Sequence, residues 1–234
     1  MAGVLAKLLL FTAAVYLTWN LSMLFSRAIA GWGKGRNNSI STALADLTSE
    51  QRAVYAALSA HTCGSPAVDG YAHVDATCLA EAPTMQWWKA WTAGGGKPED
   101  LRVHYERRAD YDGVAVQWGL GNQKASVEEC GEACRQHRPG SVKGPFQDFP
   151  CNAFAWCAEE QCFEPDAHVH TKGDCWLKFT EGPANPEVNF RGALVEDWQE
   201  RHPTAPDHVQ WHTGVVLPPG IPLNNGTWSP RYFW

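Results

Sequence analysis

Between Cys162 and Cys175 the chain reads FEPDAHVHTKGD, and Glu164, Asp166, His168 and His170 occupy alternate positions. In an extended segment alternate side chains point the same way, so two carboxylates and two imidazoles would converge as a donor set for a divalent metal. That is the chemistry of a metal-dependent enzyme. H-x-H is a short motif, however, and Pro165 with Lys172-Gly173 marks an exposed loop, so solvated loop polarity is the first reading of these four residues. No other constellation points to catalysis. Ser65, Ser126 and Ser141 lack a G-x-S-x-G frame, and there is no P-loop, G-x-G-x-x-G or H-E-x-x-H. A paired-carboxylate glycosidase leaves no local signature, because its two acids need not be close in the chain. The expectation is a non-catalytic protein that needs no cofactor.

The second group with chemical potential is aromatic. The chain holds 12 Trp and 8 Cys but 3 Met, a composition suited to a cross-linked extracellular domain. Trp87, Trp88 and Trp91 form a WWKAW cluster that either stacks on sugar rings, fills a partner's pocket, or serves as core where aliphatic residues are scarce. Trp156 and Trp176 alternate with small or apolar neighbours in two candidate strands. The alternation puts Cys151, Ala153, Ala155 and Cys157 toward a helix, and Trp156 and Trp176 on the opposite sheet face, covered by flanking regions or presented to a ligand.

Those residues need a scaffold in the right compartment. At 234 residues the chain has room for one or two small domains, and 44% hydrophobic with 19% charged residues marks a folding chain rather than a disordered one. A net charge of -6 and a pI near 5.8 remove nucleic acid from the expected partners. From Leu8 to Phe25 no residue is charged, and Lys7 and Arg27 bracket the run. As a helix it would be about 27 Å long, close to the roughly 30 Å hydrocarbon thickness of a bilayer. Its length suits a signal anchor, while Ala28-Ile29-Ala30 suits a signal peptide cleaved after Ala30.

Basic residues on the carboxyl side of this run would place that side in the cytosol by charge alone. The cysteines argue the reverse: all eight lie beyond residue 60 and make sense as disulfides in an oxidising lumen, where Asn37 and Asn225 are glycosylation acceptors. Asn20 heads a third sequon inside the apolar run. The expected protein is therefore a secretory-pathway, single-pass membrane protein with a lumenal or extracellular carboxyl side, or a secreted one. Beyond residue 30 it carries 17 bases against 25 acids, a balance that favours a cationic or neutral ligand.

Residues 1–30 are thus the targeting segment, and 31–60 a Gly-rich stem followed by a short helix. Thr48 to Gln51 supplies the capping box for that helix, and Val54, Ala57 and Leu58 its apolar face. Residues 61–100 form a Trp-rich segment closed by Cys63 and Cys78, a loop of about 15 residues worth roughly 3 kcal/mol in the chain-entropy model. Leu101, Val103 and Tyr105, then Val114, Val116 and Trp118 after Asp112-Gly113, alternate as two strands of a candidate hairpin. A helix from Ser126 to His137 has its own capping box, with Val127, Cys130 and Cys134 on one face. Residues 198–234, rich in Pro and aromatics, read as an extended strap over the domain.

The helix with C-x3-C (Cys130, Cys134), the C-N-A-F-x-W strand (Cys151 to Trp156) and G-x-C-W-L-K (Gly173 to Lys178) together resemble the PAN/apple family. The resemblance covers roughly Leu101 to Val195, within a domain bounded at 101–197. The overall arrangement is similar to that of plant and green-algal single-pass PAN-domain membrane proteins. The resemblance implies an α+β fold, disulfide-rich, with a small antiparallel sheet packed on one helix and, here, an N-terminal hydrophobic helix before it. It also implies a nested pairing, Cys130 with Cys175 and Cys134 with Cys151, out of 105 connectivities open to eight cysteines. Cys157 and Cys162 then remain for a short local loop. The His-rich insertion before Cys175 and the two flanking regions depart from the family pattern.

Family membership implies a module for protein or carbohydrate binding rather than catalysis. The expected function is recognition of a glycan or a protein partner, a membrane or cell-surface protein, with Trp87, Trp88, Trp91, Trp156 and Trp176 as contact residues. A structural subunit of a membrane or cell-surface complex is the alternative, and a metal-dependent enzyme built on His168 and His170 the second alternative.

Overall fold

A computed structural model describes residues 40–64, 75–194 and 196–225. The chain forms two compact units, Met1–Asp46 and Leu47–Trp234. In the first, residues 40–45 are helical. The expected apolar helix, the Ala28/Ala30 cleavage signal and Asn37 lie outside the described residues. Among those described, no helix is long and apolar enough to cross a membrane.

The second unit opens with three short helices. Helix α1 (Ser49–Leu58) starts where its capping box dictates: Thr48 Oγ1 accepts from the Gln51 amide at 3.1 Å and the Gln51 side chain accepts from the Thr48 amide at 3.0 Å. Helix α2 (Ala76–Glu81) is capped by the Asp75 carboxylate, and α3 (Pro83–Ala93) begins on a proline whose missing N–H costs nothing there. Sequence boundaries at residues 60 and 100 do not separate bodies. The Ala57 carbonyl accepts from Thr84 Oγ1, the Leu58 carbonyl accepts from the Ala184 amide, and Leu79 and Met85 join the main core.

That core lies between a sheet and one helix. Strands β1 (Arg102–Arg107), β2 (Ala109–Tyr111) and β3 (Val114–Gln117) precede α4 (Val127–Gln136). Strands β4 (Ala153–Cys157), β5 (Gln161–Cys162), β6 (His170–Thr171), β7 (Cys175–Phe179) and β8 (Val188–Arg191) follow, then α5 (Glu196–Arg201) and β9 (Trp211–Leu217). Five strands make one antiparallel sheet in the order β1-β9-β4-β7-β3. The class is therefore α+β, as expected, and four disulfides staple it: Cys63–Cys78, Cys130–Cys175, Cys134–Cys151 and Cys157–Cys162. The two bridges from α4 hold the helix to β7 and to the approach to β4.

Three sequence expectations fail here for identifiable reasons. The first is the hairpin: β1 and β3 are on opposite edges of the sheet and do not pair. Between them the chain turns at Arg108, whose φ is 53°, and crosses the face away from α4 as β2, paired with β8. All three residues of β2 are buried, so no alternation announces this strand.

The second is the strap, because Trp211–Leu217 is the strand between β1 and β4, near the centre of the sheet. The third is the facing of β4. Phe154 pairs with Leu177 and Trp156 with Cys175, which is bonded to the helix, so Phe154 and Trp156 face α4 while Ala153, Ala155 and Cys157 face away. The small residues that admit the helix lie elsewhere. A Cβ on Gly131 of α4 would come within 3.0 Å of Val103, Tyr105 and Phe154 side chains. A Cβ on Gly214 of β9 would meet the His104 carbonyl at 2.2 Å and the Phe154 ring at 2.5 Å.

The face away from α4 contains buried polar groups. Lys178 Nζ donates to Asp110 Oδ1 at 2.9 Å and to the Tyr111 carbonyl at 2.7 Å, and Asn189 donates to the other Asp110 oxygen at 2.7 Å. At the far end of β2 the Tyr111 hydroxyl donates to Glu106, which also pairs with Arg191. Burial first, then the neighbouring Glu106 charge, pushes the Tyr111 hydroxyl far above its ordinary pKa. The amide nitrogen of Asn225, the acceptor atom of its sequon, donates to the same Glu106 at 3.2 Å.

Candidate functional site

The hairpin of β5 and β6 carries the His-rich segment at its tip. The Cys157–Cys162 bridge closes its base, and Gly173, with φ 94°, turns the chain back into β7. This folds the tip over the sheet face that α4 leaves free. Between tip and sheet is a cavity of about 290 Å³. Trp176 and Lys178 reach it from β7, Trp211 from β9, Trp118 from the end of β3, and Glu164, Asp166, His168 and His170 from the tip. Asp110, Pro145 and Phe146 complete the charged and apolar parts of the wall.

The aromatic rings form a connected series. Trp118 lies 5.8 Å from Trp176 and 5.5 Å from His168, and His170 lies 5.5 Å from Trp176 and 5.2 Å from Trp211. Trp118 is 53% exposed and His170 only 3%. The wall therefore runs from an open tryptophan to a buried histidine.

Hydrogen bonding fixes the tip. Asp166 Oδ1 accepts from the His168 amide at 2.8 Å, and both Asp166 oxygens lie 3.2 Å from His170 Nε2. A carboxylate only accepts, so the hydrogen of this pair sits on Nε2. The Trp211 indole donates to the Phe163 carbonyl at 2.9 Å. His170 Nδ1 and Trp176 Nε1 are buried out of reach of solvent without a hydrogen-bond partner in the protein, the Trp176 Nε1 edge lying against Gly119.

Of the sequence-derived site residues, Trp176, Glu164, Asp166, His168 and His170 meet at this one cavity. They do not form a donor set: no group of three or more His, Cys, Asp or Glu among the described residues is arranged to hold a metal ion. The reason is local, since Asp166 spends its oxygens on the tip's own backbone and on His170 rather than turning inward beside both imidazoles. Trp156 is a correction. It is buried on the α4 face with its indole donating to the Lys124 carbonyl at 3.0 Å, so it is core and not contact surface.

Trp87, Trp88 and Trp91 line α3, with centroid separations of 5.1 to 6.5 Å, and are half-buried against the helix-side core, outside the cavity. Trp118, Trp211, Asp110 and Lys178 were not singled out as site residues from sequence. The signal for Trp118 was its place as the outermost apolar residue of an alternating strand, followed by Gly119.

Comparison with protein-family models, with curated proteins and with solved structures found no match.

Proposed function

We propose that this chain is a carbohydrate-binding domain of the secretory pathway, and that its binding site is the aromatic cavity on the free face of the sheet. The observation that carries this reading is the exposed Trp118, tilted 31° to Trp176 in the wall of one small cavity. Indole rings beside the polar side chains of Asp166, His168 and Lys178 suit a pyranose, which presents C–H faces to tryptophan and hydroxyls to polar groups. At about 290 Å³ the cavity is near the lower end of the roughly 300–1,000 Å³ of small-molecule sites, room for one ring rather than a long oligosaccharide.

Export is supported by the pairing of all eight cysteines, since structural disulfides persist in oxidising compartments. The PAN/apple resemblance supports binding in the same sense. The cavity lies on the insertion that departs from the family pattern, so ligand choice belongs to this chain's own elaboration. A glycan array probed with the purified full chain and with Trp118→Ala tests the proposal. Signals that fall about tenfold or more in the variant support it. An array without signal, or signals that survive Trp118→Ala and vanish in Trp88→Ala, overturns the assignment.

A further inference from the structure

The polar groups of the aromatic cavity spend part of their hydrogen-bonding capacity inside the fold. Lys178 donates to Asp110 and to the Tyr111 carbonyl, and Asp166 accepts from the His168 amide and faces His170 Nε2. Uncommitted groups stand on the other side of Trp118. A second cavity, of about 460 Å³, lies between β3 with the turn after it and residues 142–145, and it shares Ala115, Trp118 and Pro145 with the first. The shared residues make the two cavities neighbouring compartments of one cleft, with the half-exposed Trp118 as the partition. The second compartment falls within the roughly 300–1,000 Å³ of small-molecule sites.

Its polar lining differs from that of the first. The Asn122 side chain is committed, donating to the Cys175 carbonyl at 2.7 Å. The Gln117 side-chain amide and the Lys143 ammonium, by contrast, have no hydrogen-bond or ion-pair partner among the described residues. Gln117 can both donate and accept, and Lys143 has three hydrogens to donate. Leu120, 39% exposed, lines the compartment beside them. Apolar surface next to free polar side chains is what a second ring, with its C–H faces and hydroxyls, requires.

We infer that the cleft takes two linked sugar rings, one in each compartment, with Trp118 between them and Gln117 and Lys143 as the residues that bind hydroxyls of the second ring. The inference rests on the carbohydrate reading above and sets the length of the ligand: the aromatic cavity has room for one ring, and the compartment beyond Trp118 receives the next.

The test is calorimetric titration of the full chain with glucose, galactose, mannose and N-acetylglucosamine, each as the single ring, the homodisaccharide and the homotrisaccharide. For the sugar that binds, the disaccharide is expected to be about tenfold tighter than the single ring, since each added hydrogen bond contributes a factor of roughly 2 to 10. The trisaccharide should add less than about twofold. Gln117→Ala and Lys143→Ala should each lower the disaccharide's advantage about threefold, and the double variant should erase it while leaving the single ring's affinity unchanged.

A disaccharide no tighter than its single ring overturns the two-ring inference, as does an advantage that survives the double variant or a trisaccharide that gains as much again. Each of these outcomes leaves the carbohydrate reading in place. Absence of binding by any of the sugars overturns the carbohydrate reading and the two-ring assignment with it. The replaced side chains have no partners in the described fold, and matching circular dichroism spectra establish that the variants fold.

Discussion

The two faces of the central sheet solve different problems. On the α4 face Phe154, Trp156, Leu177, Phe179 and Val216 are packed together, and two disulfides join helix to sheet. The Trp156 indole finds the Lys124 carbonyl there, although His137 Nδ1 at the end of α4 is buried without a partner. On the opposite face an ion pair is buried, a cavity opens and a tryptophan is half in solvent. One face is closed by covalent and apolar contacts. The other retains an aromatic cavity beside a buried ion pair, features a ligand can use. Stability and the proposed recognition thus fall on opposite sides of one sheet.

If that division is right, the severest damage comes from the α4 face. Gly214→Ala places a methyl group 2.2 Å from the His104 carbonyl, which is backbone and cannot swing aside. The expected loss is on the order of 4–5 kcal/mol or more, read as failure to accumulate folded protein or as collapse of the near-ultraviolet spectrum. Removing the bridge in Cys130→Ser/Cys175→Ser frees a loop with a separation of 45 residues. A loss of about 4 kcal/mol follows from chain entropy, measurable by urea denaturation. A loss below about 1 kcal/mol would mean that packing alone holds α4.

The opposite face should answer differently to charge and to truncation. Lys178→Met leaves Asp110 buried without its cation and should cost about 3 kcal/mol. The double variant Asp110→Asn/Lys178→Met should recover part of that loss, because no uncompensated charge remains. Trp118→Ala should change stability by no more than about 0.5 kcal/mol, as expected of a half-exposed side chain, while removing sugar binding. A Trp118→Ala protein that unfolds several degrees earlier would show that this ring belongs to the core, and the contrast between faces would fail.

The helix side was the legible one. The capping box at α1 is closed, while at α4 Ser126 caps the Glu129 amide but the Glu129 carboxylate accepts from the Ala125 amide, so that box is left half made. The stripe of Val127, Cys130 and Cys134 is buried as its spacing requires. What escaped were segments whose pattern carries no period. Val215, Val216 and Leu217 are consecutive buried residues in a strand covered on both sides, and the Pro-rich composition around them reads as a strap instead. Asp112-Gly113 resembles a hairpin turn, yet Gly113 leads from the crossing β2 into an edge strand. The cavity was half legible: the tip residues share a face in the chain, but only the sheet's tertiary order brings Trp118 and Trp211 to meet them.

The smallest effect expected is one of pH at the rim of the free face, where the loop after β4 meets the segment before β9. His208 Nε2 lies 2.7 Å from Glu159, and Nδ1 is bonded to Asp207. Carboxylates only accept, so both ring nitrogens must donate and the imidazole is cationic in this arrangement. The bond to Glu159, then that to Asp207, holds its pKa above the ordinary value of 6.5. A raised folded-state value means that His208 stabilises fully below the unfolded pKa. That contribution is lost as pH rises through the higher folded-state value. Solvent screening keeps the effect small, about 1 °C in Tm. His208→Gln should erase the difference between Tm measured at pH about 6 and at about 8.5, on either side of that titration. If the difference survives the substitution, another group carries it and the rim contact at Glu159 adds nothing to the closure of this face.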